Sequence, residues 1–117
     1  MIDGLKYSIN ERAYTVDELY VGQKASFTKT ITETDVVNFA CLTGDLNPVH
    51  VDEEFAKKTR FGGRIAHGML TLSYISTCLA MGIPGADDIF LGLTVKFLAP
   101  VRIGDTITAQ VEIIDIN

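Results

Sequence analysis

A carboxylate and an imidazole stand close together on one short segment of the chain. Asp45 and His50 are five positions apart, and between them lies Leu46-Asn47-Pro48-Val49. Proton transfer near neutral pH needs a group that titrates in that range and a second polar group that orients it or shares the proton. Histidine and aspartate together supply both. The segment is therefore the first candidate for acid–base chemistry, with Asp45 and His50 as catalytic residues.

The turn between these two side chains is expected to be stiff. Pro48 fixes its own φ and biases Asn47 toward an extended backbone, and the Asn47 side chain can bond the nearby backbone. Stiffness matters because a misplacement of about 1 Å can cost roughly a hundredfold in rate. A structural interpretation stays open, in which Asp45 accepts backbone N–H groups and His50 is an ordinary hydrogen-bonded histidine.

A second segment, Ile65-Ala66-His67-Gly68-Met69-Leu70, opens an apolar stretch whose pattern predicts a buried helix from about residue 66 to 81. Gly68 falls in its first turn, where N–H groups lack an intrahelical partner and lie at the positive end of the helix dipole. Such groups can bind a developing oxyanion, and glycine allows close approach to the backbone. Gly68 is thus a third candidate catalytic residue, while His67 and Met69 are expected to be structural.

Together the two segments resemble the signature of the MaoC-like, (R)-specific enoyl-CoA hydratase family, which has the hot-dog fold. The first family block is matched by Phe39, Thr43, Gly44, Asp45, Leu46, Asn47, Pro48, Val49, His50 and Ala56. The second block is matched by Ile65–Met69, with Ser76 farther along the same helix. The resemblance runs from about residue 21 to 117 and leaves residues 1–20 as an N-terminal extension before one MaoC-like domain.

The resemblance implies an α+β hot-dog fold, with a curved antiparallel sheet wrapped around a long central helix. It implies a lyase of fatty acid metabolism that adds water reversibly to trans-2-enoyl-CoA, with Asp45 and His50 exchanging protons and the Gly68 N–H binding the thioester oxygen. It also implies a homodimer or higher homo-oligomer. Relatives carry two further strands, so the C-terminal strands are expected to be missing here. Either the sequence is truncated or another chain covers the open edge.

Four residues are predicted to bind the substrate or support the site. Asn47 and Ser76 match family positions, although a serine in a helix often bonds the carbonyl one turn back. Arg60 and Arg64 flank the loop Phe61-Gly62-Gly63 and could bind an anionic acyl-CoA. Three more cations are candidates for this role: Lys57, Lys58 and Lys96. For Lys57 and Lys58, a role in complementing a helix dipole or in keeping the protein soluble stays open.

Composition indicates one globular domain, since the 117 residues are 47% hydrophobic and 21% charged. A net charge of −5 argues against a nucleic-acid partner. The chain has no apolar run of about 18 residues, which argues against a membrane span and favours a cytoplasmic protein.

Two histidines without clustered ligands argue against zinc, and no cofactor is expected beyond the coenzyme A of the substrate. Cys41 and Cys78 are expected to be reduced core residues.

Local patterns predict the elements that position the site. A period of two predicts a strand over Gln23–Ile31. Thr32 and Asp52 are expected to cap helices over Glu33–Leu42 and Glu53–Lys58. Two further strands are predicted over Ile89–Phe97 and Thr106–Ile116, joined as a hairpin through Pro100–Gly104.

Three other functions stay open beside the hydratase. A thioesterase on the same fold would hydrolyse acyl-CoA, and a noncatalytic module would bind acyl-CoA without turning it over. A dehydratase component could instead act on a substrate attached to acyl carrier protein. Acyl chain length and the physiological direction of the reaction are also open, because the first depends on pocket packing and both directions share one transition state.

Overall fold

Two antiparallel strands, β1 (Lys24–Thr30) and β2 (Thr106–Glu112), form the sheet of the computed structural model, which describes residues 14–117. The register pairs Lys24 with Glu112 and Thr30 with Thr106. Exposure alternates along β1, as its period of two predicted. Residues 1–13, which form most of the predicted N-terminal extension, lie outside the described residues.

The helices occupy the segments between the strands and just before them. They comprise a 3-10 helix (Val16–Glu18), α1 (Glu33–Thr43), α2 (Pro48–Val51), α3 (Glu53–Ala56) and α4 (Gly68–Met81). The predicted caps of α1 and α3 are confirmed. Thr32 Oγ1 accepts the Asp35 N–H at 3.1 Å, and Asp52 Oδ1 accepts the Phe55 N–H at 3.1 Å. Both helices begin where predicted, because each is capped by a side chain only three positions from the N–H that it accepts.

An ion pair joins β1 to the start of α1. Lys29 Nζ lies 2.6 Å from Asp35 Oδ2, and both side chains are partly buried. Burial raises the pKa of the Asp35 carboxyl, but hydrogen bonds from Lys29 and Thr32 outweigh burial and hold that pKa below its usual value. The lowered pKa means that this carboxylate stabilises the fold above its unfolded-state pKa, and the contribution is lost as pH falls through the folded value.

The core lies between α4, the sheet and α1. Its buried residues are Ile31, Val36, Ala66 and Leu70, with Phe39 and Tyr74 packed against them. Helix α4 contacts both strands, as predicted for the central helix. The prediction that α4 is buried holds for Leu70 and Cys78 but not for the whole helix. Met69 remains 57% exposed and Met81 38% exposed.

The predicted strand over residues 89–97 and its hairpin through Pro100–Gly104 are wrong. A strand requires a hydrogen-bonded partner, and no other described backbone pairs with residues 89–97. The partner of β2 is β1, which lies 76 or more positions earlier in the chain than the β2 residues it pairs with. Most of the apolar side chains in this segment are consequently exposed, among them Ile89, Leu91, Leu93, Val95 and Phe97.

The two cysteines differ in their surroundings. Cys78 is buried in α4, and burial raises the pKa of its thiol. Cys41 is exposed on α1, so its predicted core position is wrong. Helix α1 buries the face that carries Val36 and Ala40. Cys41 directly follows Ala40 and therefore lies on a different face of the helix. Among the described helices, none is long and apolar enough to cross a membrane.

Candidate active site

Asp45 lies on the turn that leads out of α1. Gly44 ends this helix with φ +81°, a left-handed conformation that favours glycine, and its N–H donates to Ala40 O at 2.9 Å. The Asp45 N–H donates to Thr43 Oγ1 at 3.2 Å. Asp45 is therefore presented by a helix end whose shape depends on the signature glycine.

Two side chains of this turn accept hydrogen bonds from the backbone of the same segment. Asp45 Oδ1 accepts the Asn47 N–H at 3.2 Å, and Asn47 Oδ1 accepts the Val49 N–H at 3.1 Å to cap α2. The structural role of Asp45 in the turn therefore occupies one of its two carboxylate oxygens, Oδ1. The other oxygen, Oδ2, has no hydrogen-bond partner among the described residues and is available for chemistry.

His50 lies half-buried on α2 with its ring orientation fixed. Its Nδ1 is 2.8 Å from the carbonyl oxygen of Ile65. Because a carbonyl only accepts, Nδ1 carries the hydrogen, and Nε2 of the neutral ring is left as the proton acceptor. The His50 carbonyl in turn accepts a hydrogen bond from Arg64 Nε at 2.6 Å.

A second imidazole, that of His67, lies beside Asp45 and His50. His67 is buried, with 2% exposure, and its Nε2 lies 3.0 Å from the backbone carbonyl oxygen of Asp45. Its ring stacks on that of His50 with centroids 3.8 Å apart and an interplanar angle of 25°. One carboxylate oxygen of Asp45 and one nitrogen of each imidazole all lie within 4.8 Å of one another. One water molecule could bond to two groups at that separation, since each hydrogen bond spans about 2.8 Å.

Gly68 is the first residue of α4, so its predicted place in the first turn is confirmed. The N–H groups of Leu70 and Thr71 bond back to the His67 carbonyl, whereas the Gly68 N–H has no acceptor among the described residues. A Cβ at this position would come within 2.9 Å of Phe97 Cε1. Phe97 would have to shift to admit a side chain here, so glycine permits the present packing of Phe97 and leaves the N–H accessible.

A cleft of about 710 Å³ opens beside Gly68. Apolar side chains dominate its lining, including Phe61, Ile65, Met69, Phe97, Leu98 and Val101, and Arg60 and Arg102 add positive charge. Asp45 and His50 do not line this cleft. Two lining residues of the cleft adjoin the candidate residues, because the Ile65 carbonyl oxygen contacts His50 Nδ1 and Gly68 follows His67 in the chain. The core position predicted for Met69 is wrong, because its side chain faces this cleft.

The two predicted arginines have different surroundings. Arg60 is exposed, its guanidinium lies 4.8 Å from the centroid of the Phe61 ring, and it lines the cleft. Arg64 is 11% exposed and is already bonded to Glu33 Oε2 at 2.6 Å and to His50. Of the two predicted arginines, Arg60 therefore faces the cleft, and Arg64 contacts the backbone of His50.

Ser76 lies two turns beyond Gly68 on α4 and is exposed. Among the described residues, its hydroxyl bonds neither Asp45 nor His50, nor the carbonyl one turn back. Ser73, by contrast, makes that bond, donating to Met69 O at 2.7 Å. A supporting role for Ser76 stays a prediction.

Replacing Arg64 with methionine is expected to lower the free energy of unfolding by about 2 kcal/mol, because hydrogen bonds from a charged group to His50 and Glu33 are lost. Urea unfolding followed by circular dichroism measures the change. Glu33→Gln is the matched control. Glu33 is 59% exposed, so its loss should cost less than about 1 kcal/mol. Equal losses in the two variants would show that the His50 carbonyl contributes little.

The sequence prediction that metal ligands are not clustered is wrong, since Asp45, His50 and His67 converge. The ring geometry nevertheless does not fit a tetrahedral zinc site. Imidazole nitrogens bind metals in the plane of the ring. The two ring planes are inclined by only 25° with centroids 3.8 Å apart, so one ion cannot lie in both planes at bonding distance. Asp45 and His50 are therefore the candidates for proton chemistry, and His67 packs against them.

Comparison with known proteins places the site in a family context. Residues 17–117 match the family model described as MaoC like domain. An (R)-specific enoyl-CoA hydratase of Rhodospirillum rubrum is 48% identical over 83% of this chain and 67% of its own length. A 3-hydroxybutyryl-CoA dehydratase of Methylorubrum extorquens is 43% identical over 90% of this chain and 67% of its own.

A solved structure shares the architecture. The (R)-hydratase from A. caviae involved in PHA biosynthesis matches with a TM-score of 0.82 and 42% identity, covering 85% of this chain and 75% of that chain. The chain thus spans 67% to 75% of the lengths of these three proteins.

Proposed function

Because the chain belongs to the MaoC-like dehydratase family and has the hot-dog fold of its (R)-hydratase members, we propose that it is an (R)-specific enoyl-CoA hydratase. The family resemblance and the fold class predicted from the sequence are thereby confirmed. The substrate is a trans-2-enoyl-CoA, and the reverse reaction dehydrates an (R)-3-hydroxyacyl-CoA. Coenzyme A is part of the substrate, and the scheme uses no separate cofactor.

The convergence of the Asp45 carboxylate with the His50 imidazole carries this proposal. A water bound between Asp45 and His50 Nε2 attacks C3 of the enoyl group. As the C3–O bond forms, the pair takes up one water proton, and a proton is delivered to C2 on the same face. The water is thus divided into a hydroxyl on C3 and a hydrogen on C2, and the catalytic pair ends in its starting protonation state.

Negative charge develops on the thioester oxygen while C2 awaits its proton. The Gly68 N–H is unpaired among the described residues, opens on the cleft, and lies at the positive end of α4. We propose that it donates to this oxygen. One such donor typically stabilises the transition state by about 3 kcal/mol, or a hundredfold or more in rate.

Gly68→Ala is expected to lower kcat/KM by about a hundredfold, because the added methyl crowds the thioester oxygen against its donor. The methyl would also press on Phe97. The variant Gly68→Ala with Phe97→Ala removes that second effect. Steady-state hydration of crotonyl-CoA by both variants separates the two causes. Recovery of the rate in the double variant would assign the loss to Phe97 and contradict the oxyanion role.

The test of the function is loss of the enoyl-thioester absorbance when the purified protein meets crotonyl-CoA, with and without EDTA, followed by chiral analysis of the product. Rapid loss with an (R)-3-hydroxy product supports the proposal. Release of free coenzyme A would indicate a thioesterase. Saturable binding without turnover would indicate a binding module, and activity only on crotonyl-acyl carrier protein would indicate the carrier-linked dehydratase.

We further propose that the protein is a cytoplasmic homodimer or higher homo-oligomer. The segment 89–98 exposes several large apolar side chains, such as Leu91 at 98% and Leu98 at 89%, which is the kind of surface that a second copy would bury. Size-exclusion chromatography with light scattering should give at least twice the mass of 12.8 kDa. Leu91→Lys should shift this mass toward the monomer. A monomeric wild type would contradict the proposal.

A further inference from the structure

His67 contacts both members of the proposed catalytic pair. Its Nε2 lies 3.0 Å from the Asp45 backbone carbonyl oxygen, so the nitrogen donates to the turn that carries the carboxylate. Its ring stacks on His50 and contacts Phe39 on another side, with centroids 3.8 Å and 4.9 Å away. His67 is also the residue before Gly68 at the start of α4.

The ring of His67 has one orientation that satisfies these contacts. The Asp45 carbonyl only accepts, so Nε2 carries the hydrogen and Nδ1 of the neutral ring is bare. Nδ1 is buried and has no hydrogen-bond partner among the described residues. A ring flip would turn carbon toward the Asp45 carbonyl and break the only hydrogen bond described for the ring. His50 carries its hydrogen on Nδ1, so the two stacked rings hold opposite tautomers.

We infer that His67 is a positioning residue for the hydratase reaction, and this inference rests on the proposed function. Its hydrogen bond holds the Asp45 turn, and its ring is the flat support against which His50 is aligned. Proton transfer through one shared water requires both groups at fixed positions, and a displacement of about 1 Å can cost roughly a hundredfold in rate. The spacing of the catalytic pair is therefore set by a side chain that touches neither water nor substrate.

Two variants separate the two contacts. His67→Phe keeps a ring beneath His50 but removes the donor to Asp45, whereas His67→Gln keeps a donor but removes the ring. Each is expected to lower kcat by about ten- to a hundredfold and to change KM by less than threefold. Ser73→Ala, an exposed change on the same helix, is the control and should leave kcat unchanged. All rates are divided by the folded fraction measured by circular dichroism.

A spectroscopic signature distinguishes positioning from simple stabilisation. The chain has 2 histidines, so long-range 1H–15N spectra contain two imidazoles and can be assigned with one variant. The wild type should show one Nδ1–H and one Nε2–H tautomer. His50 should keep its Nδ1–H form in His67→Phe. In His67→Gln it should become a mixture of tautomers, because without the stacked ring it can turn away from the Ile65 carbonyl that fixes the hydrogen on Nδ1.

Three results would overturn the inference: two histidines with the same tautomer in the wild type, an unchanged His50 tautomer in His67→Gln, or corrected kcat values within threefold of wild type in both variants. If the proposed function were wrong, the result would be different, because the wild type itself would not hydrate crotonyl-CoA. The tautomer spectra need no turnover and still test the inference in that case.

Discussion

Asp45→Asn is expected to keep the fold while lowering kcat for crotonyl-CoA hydration by about 10³-fold, the middle of the range for a general acid or base. An asparagine Oδ1 can still accept the Asn47 N–H that Asp45 Oδ1 accepts at 3.2 Å, so the turn is retained. The amide cannot take up the water proton, so the chemistry is lost. Steady-state kinetics measure the fall, with circular dichroism to establish that the variant is folded.

The same substitution at Asp52 is the matched control for Asp45→Asn. Asp52 Oδ1 caps α3 by accepting the Phe55 N–H, and an asparagine can make that bond equally well. Asp52→Asn should therefore retain kcat within threefold. If Asp45→Asn were equally active, Asp45 would have no part in proton transfer and only its structural role in the turn would remain.

His50→Asn is expected to lower kcat by about 10² to 10⁴-fold. Its amide nitrogen can replace Nδ1 as the donor to the Ile65 carbonyl, so the backbone contact between α2 and the residues before α4 is retained. What the variant lacks is an equivalent of Nε2, the nitrogen that accepts a proton from water. The rate of crotonyl-CoA hydration, measured beside that of Asp45→Asn, gives the size of the loss.

Combining the two substitutions tests whether the residues act on one water. Groups that act as a unit show strongly non-additive losses, so the double variant should be no more than about threefold slower than the slower single variant. Losses that multiply would mean that Asp45 and His50 act in separate steps. That result would contradict the shared-water mechanism but leave both residues in the site.

Elements that depend on neighbouring residues could be predicted from the sequence. The start of α1 follows from the Thr32 and Asp35 side chains three positions apart, and β1 follows from its period of two. The proximity of Asp45 to His50 is of the same kind, because only four residues separate them in the chain. These predictions hold because the interactions that decide them span at most a few residues.

The rest depends on tertiary contacts that a sequence pattern does not contain. Residues 89–97 alternate like a strand, yet pairing requires a partner backbone, and none of the described strands takes that place. The stacking of His67 on His50 joins residues 17 positions apart, and no spacing rule for helices or turns brings them together. The ion pair of Arg64 with Glu33 likewise joins residues 31 positions apart, so its basic character and its place near the glycine loop do not predict this partner.

The contrast between the two thiols offers a reporter for the turn that carries Asp45, without any added residue. Alkylating reagents react with thiolates that solvent can reach, and Cys41 is exposed while Cys78 is buried with a raised pKa. A maleimide fluorophore should therefore label the native protein once, at Cys41, four positions before Asp45. Its emission would follow the turn as an acyl-CoA binds, so that ligand association could be timed separately from the chemical step.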